Sequence, residues 1–200
     1  ERARLFFKLG DYVRSEVDLN AAIENDPSDA ESLSMRAMTF YQRMLYDAAI
    51  HDLSTVLEGL QNDSKTLYNR AVCYLKRDEP ETALADINNL LRQHPENARA
   101  LNLRGVIYGM MGRTNEAISD LNASTALTPL DPTLWNNIGF YKFRQGNYQG
   151  AKADFMKALE LDPQFVSARN NLAQADDRMS QPMDMENYNS YDKEKPLKAH

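Results

Sequence analysis

Residues 132–163 read PTLWNNIGFYKFRQGNYQGAKADFMKALELDP, and the spacing inside this stretch decides the fold. Trp135, Ile138 and Gly139 fall at helical intervals in its first half, and Ala151, Phe155, Ala158 and Leu159 do so in its second. Gly146-Asn147 separates the halves as a turn signal. Asp162-Pro163 closes the second, because proline cannot continue a helix. The stretch predicts helix, turn, helix, turn.

Working outward, the same arrangement returns in steps of 34 residues. Pro27, Pro95, Pro129 and Pro163 stand on one such grid, with Gln61 in the one place that lacks proline. Ala3, Ala37, Ala71, Gly105, Gly139 and Ala173 form a second row, and Ser15, Ala49, Ala83, Ala117 and Ala151 a third. Two small residues per period let two helix backbones approach closely, as a packed antiparallel pair requires. The periods run about 1–29, 30–63, 64–97, 98–131 and 132–165. A helix over 164–179 then turns polar at Asp176-Asp177-Arg178, as a solvated end cap does, and a polar tail without helical period fills 180–200. The first period opens inside a helix pattern at Glu1, so the natural protein is expected to extend upstream.

The residues Trp135-x-x-Ile138-Gly139, Gly146-x-Tyr148, Ala151, Phe155, Ala158-Leu159 and Asp162-Pro163 resemble the tetratricopeptide repeat family. The resemblance implies an all-α, right-handed superhelical solenoid of about five helix pairs plus a C-terminal capping helix, occupying residues 1–179. The chain departs from the pattern at Lys142, where Phe6, Phe40, Tyr74 and Tyr108 stand in earlier periods. It departs again at Gln61, at Ser124-Thr125 and at Pro80, a residue that suits the first turn of a helix.

Composition excludes several function classes. Lys plus Arg number 23 against 29 Asp plus Glu, a net charge of −6, so no basic field attracts nucleic acid. No apolar run reaches the roughly 20 residues of a membrane span. A lone Cys73 excludes an internal disulfide and a cysteine-built zinc site. His51, His94 and His200 have no partners spaced for a nucleophile–base pair or a metal, so neither catalysis nor a cofactor is expected. The compartment stays open: the cytoplasm is favoured, and a periplasmic or secreted location would need an upstream signal since removed.

Arginine recurs on the grid at Arg2, Arg36, Arg70 and Arg104, and aspartate at Asp18, Asp52, Asp86, Asp120 and Asp154. Both rows lie at the margin of the helix–helix seam, where charge is costly unless paired. Bridges are expected within a period, Arg36 to Asp52, or across to the next, Asp52 to Arg70. Ile138 breaks the arginine series and leaves an aspartate near the C-terminal end without this partner.

In a superhelix of helix pairs the first helices line the concave face, which is where a ligand is sought. The residues aimed there include Met38, Tyr68 and Asn69, then Asn102, Asn136, Asn137 and Phe140, then Asn170 and Asn171. A carboxamide carries both a donor and an acceptor, so a row of asparagines can bind the backbone of an extended peptide without reading its side chains. The spacing is similar to the asparagine ladder in the repeat domain of O-linked N-acetylglucosamine transferase, which Asn69, Asn137 and Asn171 match. A carboxylate clamp of the kind that holds chaperone C-termini is broken: Asn69 fits and Arg99 can replace one lysine, but Ser34, Met38 and Leu103 stand where it needs polar or basic residues. The expected function is a non-catalytic scaffold or adaptor that binds a protein segment in the groove. The alternatives are a self-associating or autoinhibited module whose tail, with Met183, Met185, Tyr188 and Tyr191, docks in a groove, and a regulatory piece of a larger protein.

Overall fold

The structure is a computed structural model, described for residues 1–180. These residues form eleven α-helices: α1 (Arg2–Lys8), α2 (Tyr12–Asn25), α3 (Ala30–Gln42), α4 (Tyr46–Gly59), α5 (Ser64–Lys76), α6 (Pro80–Gln93), α7 (Ala98–Met110), α8 (Thr114–Leu127), α9 (Pro132–Arg144), α10 (Tyr148–Leu161) and α11 (Val166–Ser180). Odd-numbered helices open each period and even-numbered ones close it. The capping helix spans Val166–Ser180 against the expected 164–179, and the proposed tail docking falls outside the described residues. The chain divides into two compact units, Glu1–Ala100 and a second that starts at Leu101. In the first, α3 packs on α4 and α5 on α6; in the second, α10 packs on both α9 and α11.

Local chemistry fixes the helix ends. Asp29, Asp63 and Asp131 cap α3, α5 and α9 through their side chains, and Asp11 and Asn147 cap α2 and α10. Each first helix ends in one repeated hydrogen bond, in which a backbone N–H reaches back five residues: Asp11 to Phe6, Leu45 to Phe40, Glu79 to Tyr74, Arg113 to Tyr108 and Asn147 to Lys142, all at 2.8 or 2.9 Å. That closure puts the preceding residue in the left-handed region. Gly10, Gly112 and Gly146 occupy it at φ 75–77° without strain, whereas Met44 and Asp78 hold φ 61° with a side chain attached.

The small positions are where helices touch. Ala37, Ala49, Ala71 and Ala83 are at most 1% exposed. A Cβ on Gly139 would lie 2.6 Å from the Phe155 ring, and Phe155 is itself buried at 1% exposure. Burial of a side chain of that size is worth about 1.5–3 kcal/mol. Ala173 departs from its row: it is exposed, and Ala175 is the buried residue of that turn. Cys73 is fully packed with Ala37, Ala49 and Leu53, and burial pushes its thiol up to about 11.

Candidate functional site

The charged seam comes first, because it fixes the first helices. Arg36 donates to both oxygens of Asp52 at 2.8 Å. Arg70 holds Asp86 in the same way at 2.8 and 2.7 Å, and Arg104 holds Asp120 at 2.6 and 2.9 Å. Each of these pairs joins the two helices of one period; none runs to the next. The remaining guanidinium nitrogen reaches back instead, from Arg36 to Asn20 Oδ1 at 2.9 Å and from Arg70 to Ser54 Oγ at 3.0 Å. Each arginine also lies over the aromatic ring four residues on, Phe40, Tyr74 or Tyr108, at 5.6–5.9 Å. The hydrogen bonds to aspartate raise the arginine pKa values, and the guanidinium row is occupied by the chain's own carboxylates.

The fifth period solves the same problem with different residues. Ile138 joins the apolar cluster of Ala117, Leu121, Leu134 and Tyr141. Lys142, in the place of the aromatic, puts Nζ 2.7 Å from Asp154 Oδ2. Asp154 is therefore not left without a cation: lysine stands in for arginine from one turn further along. Oδ2 is buried, and that ion pair is its one polar contact. Burial raises the Asp154 pKa by more than Lys142 lowers it.

The residues expected to meet a ligand fall into the two units. In the first, Met38 on α3 and Tyr68 and Asn69 on α5 are half-buried, and the exposed Arg99 places its guanidinium 4.9 Å over the Tyr68 ring. In the second, Asn102, Phe140 and Asn171 are half-buried and Asn170 is exposed. Asn136 and Asn137 are more enclosed than an open groove implies, at 8% and 4% exposure. Their amides are knitted to each other: Asn137 Nδ2 donates to Asn102 Oδ1 at 3.3 Å, and Asn171 Nδ2 donates to Asn136 Oδ1 at 2.9 Å.

Sequence reasoning missed this pairing. Each pair spans 35 residues, one more than the period, so the bond crosses from one asparagine row to the other. It also missed the recess next to Asn171, which Phe140, Phe143, Phe155 and Gln174 line with it. Gln174 sits one period after Phe140, and that register was the available signal. Among the described residues no cluster of three or more His, Cys, Asp or Glu side chains could hold a metal ion. No helix there is long and apolar enough to cross a membrane.

Comparison with known proteins agrees with the repeat. Two family models, each described as tetratricopeptide repeat, match residues 132–165 and residues 1–64 and 68–132. Among curated proteins no relative matches. A tetratricopeptide repeat protein from Parabacteroides merdae has a similar structure, with TM-score 0.80 and 24% identity over 90% of this chain and 71% of that one. MamA from Desulfovibrio magneticus RS-1 gives TM-score 0.76 and 20% identity over 82% of this chain and 93% of that one. YrrB, described as having an unusual peptide-binding site, gives 0.70 and 20% over 84% and 87%. Identities this low show a shared fold.

Proposed function

The chain belongs to the tetratricopeptide repeat family, whose fold generally mediates protein–protein interaction, and from that premise we infer that it is a non-catalytic adaptor binding a segment of a partner protein along its first helices. The observation that supports this reading is the set of paired asparagines on α7, α9 and α11. Each pair spends one donor and one acceptor internally. The other donor and acceptor remain, and none of these atoms is buried without a partner. A peptide group offers the complementary acceptor and donor. At about 1 kcal/mol per net hydrogen bond, three or four such contacts with apolar help from Phe140 suit a weak affinity, about ten to a few hundred micromolar. In the first unit, Tyr68, Asn69, Met38 and Arg99 offer a mixed aromatic and polar surface of the same kind. YrrB, a relative in fold, is described as binding peptide.

The test is affinity capture with wild type beside an Asn69→Ala/Asn137→Ala/Asn171→Ala variant shown by circular dichroism to be folded. A partner retained by wild type and lost by the folded variant supports groove reading. Equal capture by both overturns it.

A further inference from the structure

Leu5 of α1 and Leu9 at its C-terminal end are 60% and 80% exposed. Their counterparts in the other periods are engaged. Leu5 heads the row that continues through Thr39, Cys73, Ile107, Tyr141 and Ala175, and each of those five is at most 3% exposed. Leu9 heads the row of Arg43, Arg77, Met111, Gln145 and Met179.

The contact between α4 and α5 shows what covers these two rows. Cys73 clusters with Ala49 and Leu53 of α4, and Arg77, four residues on, forms an ion pair with Asp47 in the first turn of α4. The contact between α8 and α9 repeats the arrangement. Tyr141 clusters with Ala117 and Leu121 of α8, and Gln145 Nε2 donates to Asn115 Oδ1 at 2.7 Å. Both rows therefore meet the second helix of the preceding period. That helix presents an alanine, a leucine four positions after it and a polar residue two positions before it. On α1 the first contact stays apolar, but Leu9 stands where Arg77 and Gln145 reach for Asp47 and Asn115. A carboxylate or carboxamide set against Leu9 would be desolvated without gaining a partner, so the complement of α1 carries an apolar residue in that place.

The described residues of a second copy have no such helix to offer. Ala49, Ala83, Ala117 and Ala151 are 0% exposed, and the large apolar residues four positions on, Leu53, Ile87, Leu121 and Phe155, are at most 1% exposed. The occupant has to come from another protein.

We propose that α1 docks a helix of a partner protein through Leu5 and Leu9, continuing the stack of helix pairs, and that this helix carries an alanine, an apolar residue two positions before it and Leu, Ile or Phe four positions after it. The site draws on none of the asparagines and stands apart from the groove reading above.

The experiment uses the full chain and two fluorescein-labelled peptides copied from residues 45–60, with binding read by fluorescence anisotropy. Each is held helical by a lactam between Thr55→Glu and Gly59→Lys, so that failure to bind is not failure to form a helix. One peptide keeps Asp47 and the other carries Asp47→Leu. The Asp47→Leu peptide is expected to bind about fivefold or more tightly than its parent. Leu5→Ser and Leu9→Ser in the chain are each expected to weaken it about tenfold, through the lost burial of one leucine. Val17→Ser is expected to leave binding unchanged, because Val17 belongs to the row of His51, Ala85, Ser119 and Ala153, which is exposed in every period. All three substitutions are at exposed positions, and circular dichroism confirms that the variants fold. No binding of the Asp47→Leu peptide, or binding that Leu5→Ser and Leu9→Ser leave intact, overturns the proposal. Equal binding of the two peptides overturns the part given to Leu9. A dimer of the chain alone in sedimentation equilibrium, lost in Leu5→Ser, assigns the face to a second copy and overturns the partner assignment.

Discussion

Lys142 Nζ lies 2.7 Å from Asp154 Oδ2, on helices where the four preceding periods join the same two elements through arginine. The difference is chemical as well as positional. A guanidinium meets both carboxylate oxygens at once and stacks on a ring, whereas an ammonium is a point charge. Asp154, with only 8% of its side chain exposed, therefore depends on a single contact. Lys142→Met is expected to cost about 2 kcal/mol, below the usual 3–5 for breaking a buried pair because the lysine is 27% exposed. Ile138→Arg/Lys142→Phe, which rebuilds the arrangement of the earlier periods, is expected to be more stable than Lys142→Met alone. Urea denaturation of the three proteins checks this; a double variant no better than the single would show that the arginine module cannot form here.

The same carboxyl makes stability depend on pH. Its folded pKa is raised above the ordinary 3.8, chiefly by burial. An acid with a raised folded pKa binds more protons folded than unfolded, so its contribution to stability is greatest below 3.8 and falls as pH rises through the folded value. In Lys142→Met the opposing ammonium is gone and the rise is larger. The deficit of that variant against wild type should therefore shrink as pH is lowered from neutral toward the carboxyl range. Denaturation midpoints across pH for both proteins read it, and a constant deficit would mean Asp154 is solvated on loss of Lys142.

How far the sequence discloses such features depends on whether each residue obeys the period. The helix pairs, the bidentate arginines and the small packing rows as far as Gly139 follow the 34-residue grid and are legible from spacing alone, whereas Ala173, the last of its row, is exposed. Lys142 is not, because it does the work of the arginine row from one turn past Ile138, the residue that stands in that row. Register comparison then reports two unrelated departures where the structure has one exchange. The asparagine pairs hide for a similar reason: partners 35 residues apart sit on different rows. Met44 and Asp78 are concealed because the left-handed turn is written in glycine in three periods and must be inferred in the other two.

Those two residues give a direct test. Met44 holds φ 61° and is 75% exposed, so its side chain contributes little packing to offset the backbone cost. Met44→Gly removes a penalty of about 1–2 kcal/mol for left-handed backbone and adds about 0.5–1 through the freer unfolded chain. A small net gain in stability, read as a higher urea midpoint, is expected. A loss would show that Met44 makes a contact worth more than the strain.

Gly109 is small for a different reason. A Cβ there would lie 2.1 Å from the Tyr141 hydroxyl and 2.2 Å from two ring carbons. Tyr141 is 3% exposed and its pKa is pushed up to about 12 by burial, so the ring has nowhere to retreat. Gly109→Ala is expected to destabilise by about 1–3 kcal/mol through overpacking. Combined with Tyr141→Leu, which removes the colliding atoms, the same change should cost markedly less. A double-mutant cycle measures the coupling, and additivity would show that the backbone near Gly109 shifts instead.

Cys73 supplies a probe of local opening that needs no mutation. Its thiol is 2% exposed and raised to about 11, so at pH 8 little thiolate exists and a disulfide reagent cannot reach it while α3, α4 and α5 stay packed. Labelling is expected to be slow in the native chain and to accelerate with urea as this part of the stack opens. The Arg70 pair to Asp86 closes the period that carries Cys73, and breaking it by Arg70→Met should destabilise that period by about 3 kcal/mol. If repeat stability is set by neighbours, labelling of Cys73 must then speed up by on the order of a hundredfold, while Lys142→Met, two periods away, leaves it nearly unchanged. Equal acceleration by both variants would instead mean that the chain opens as one cooperative unit.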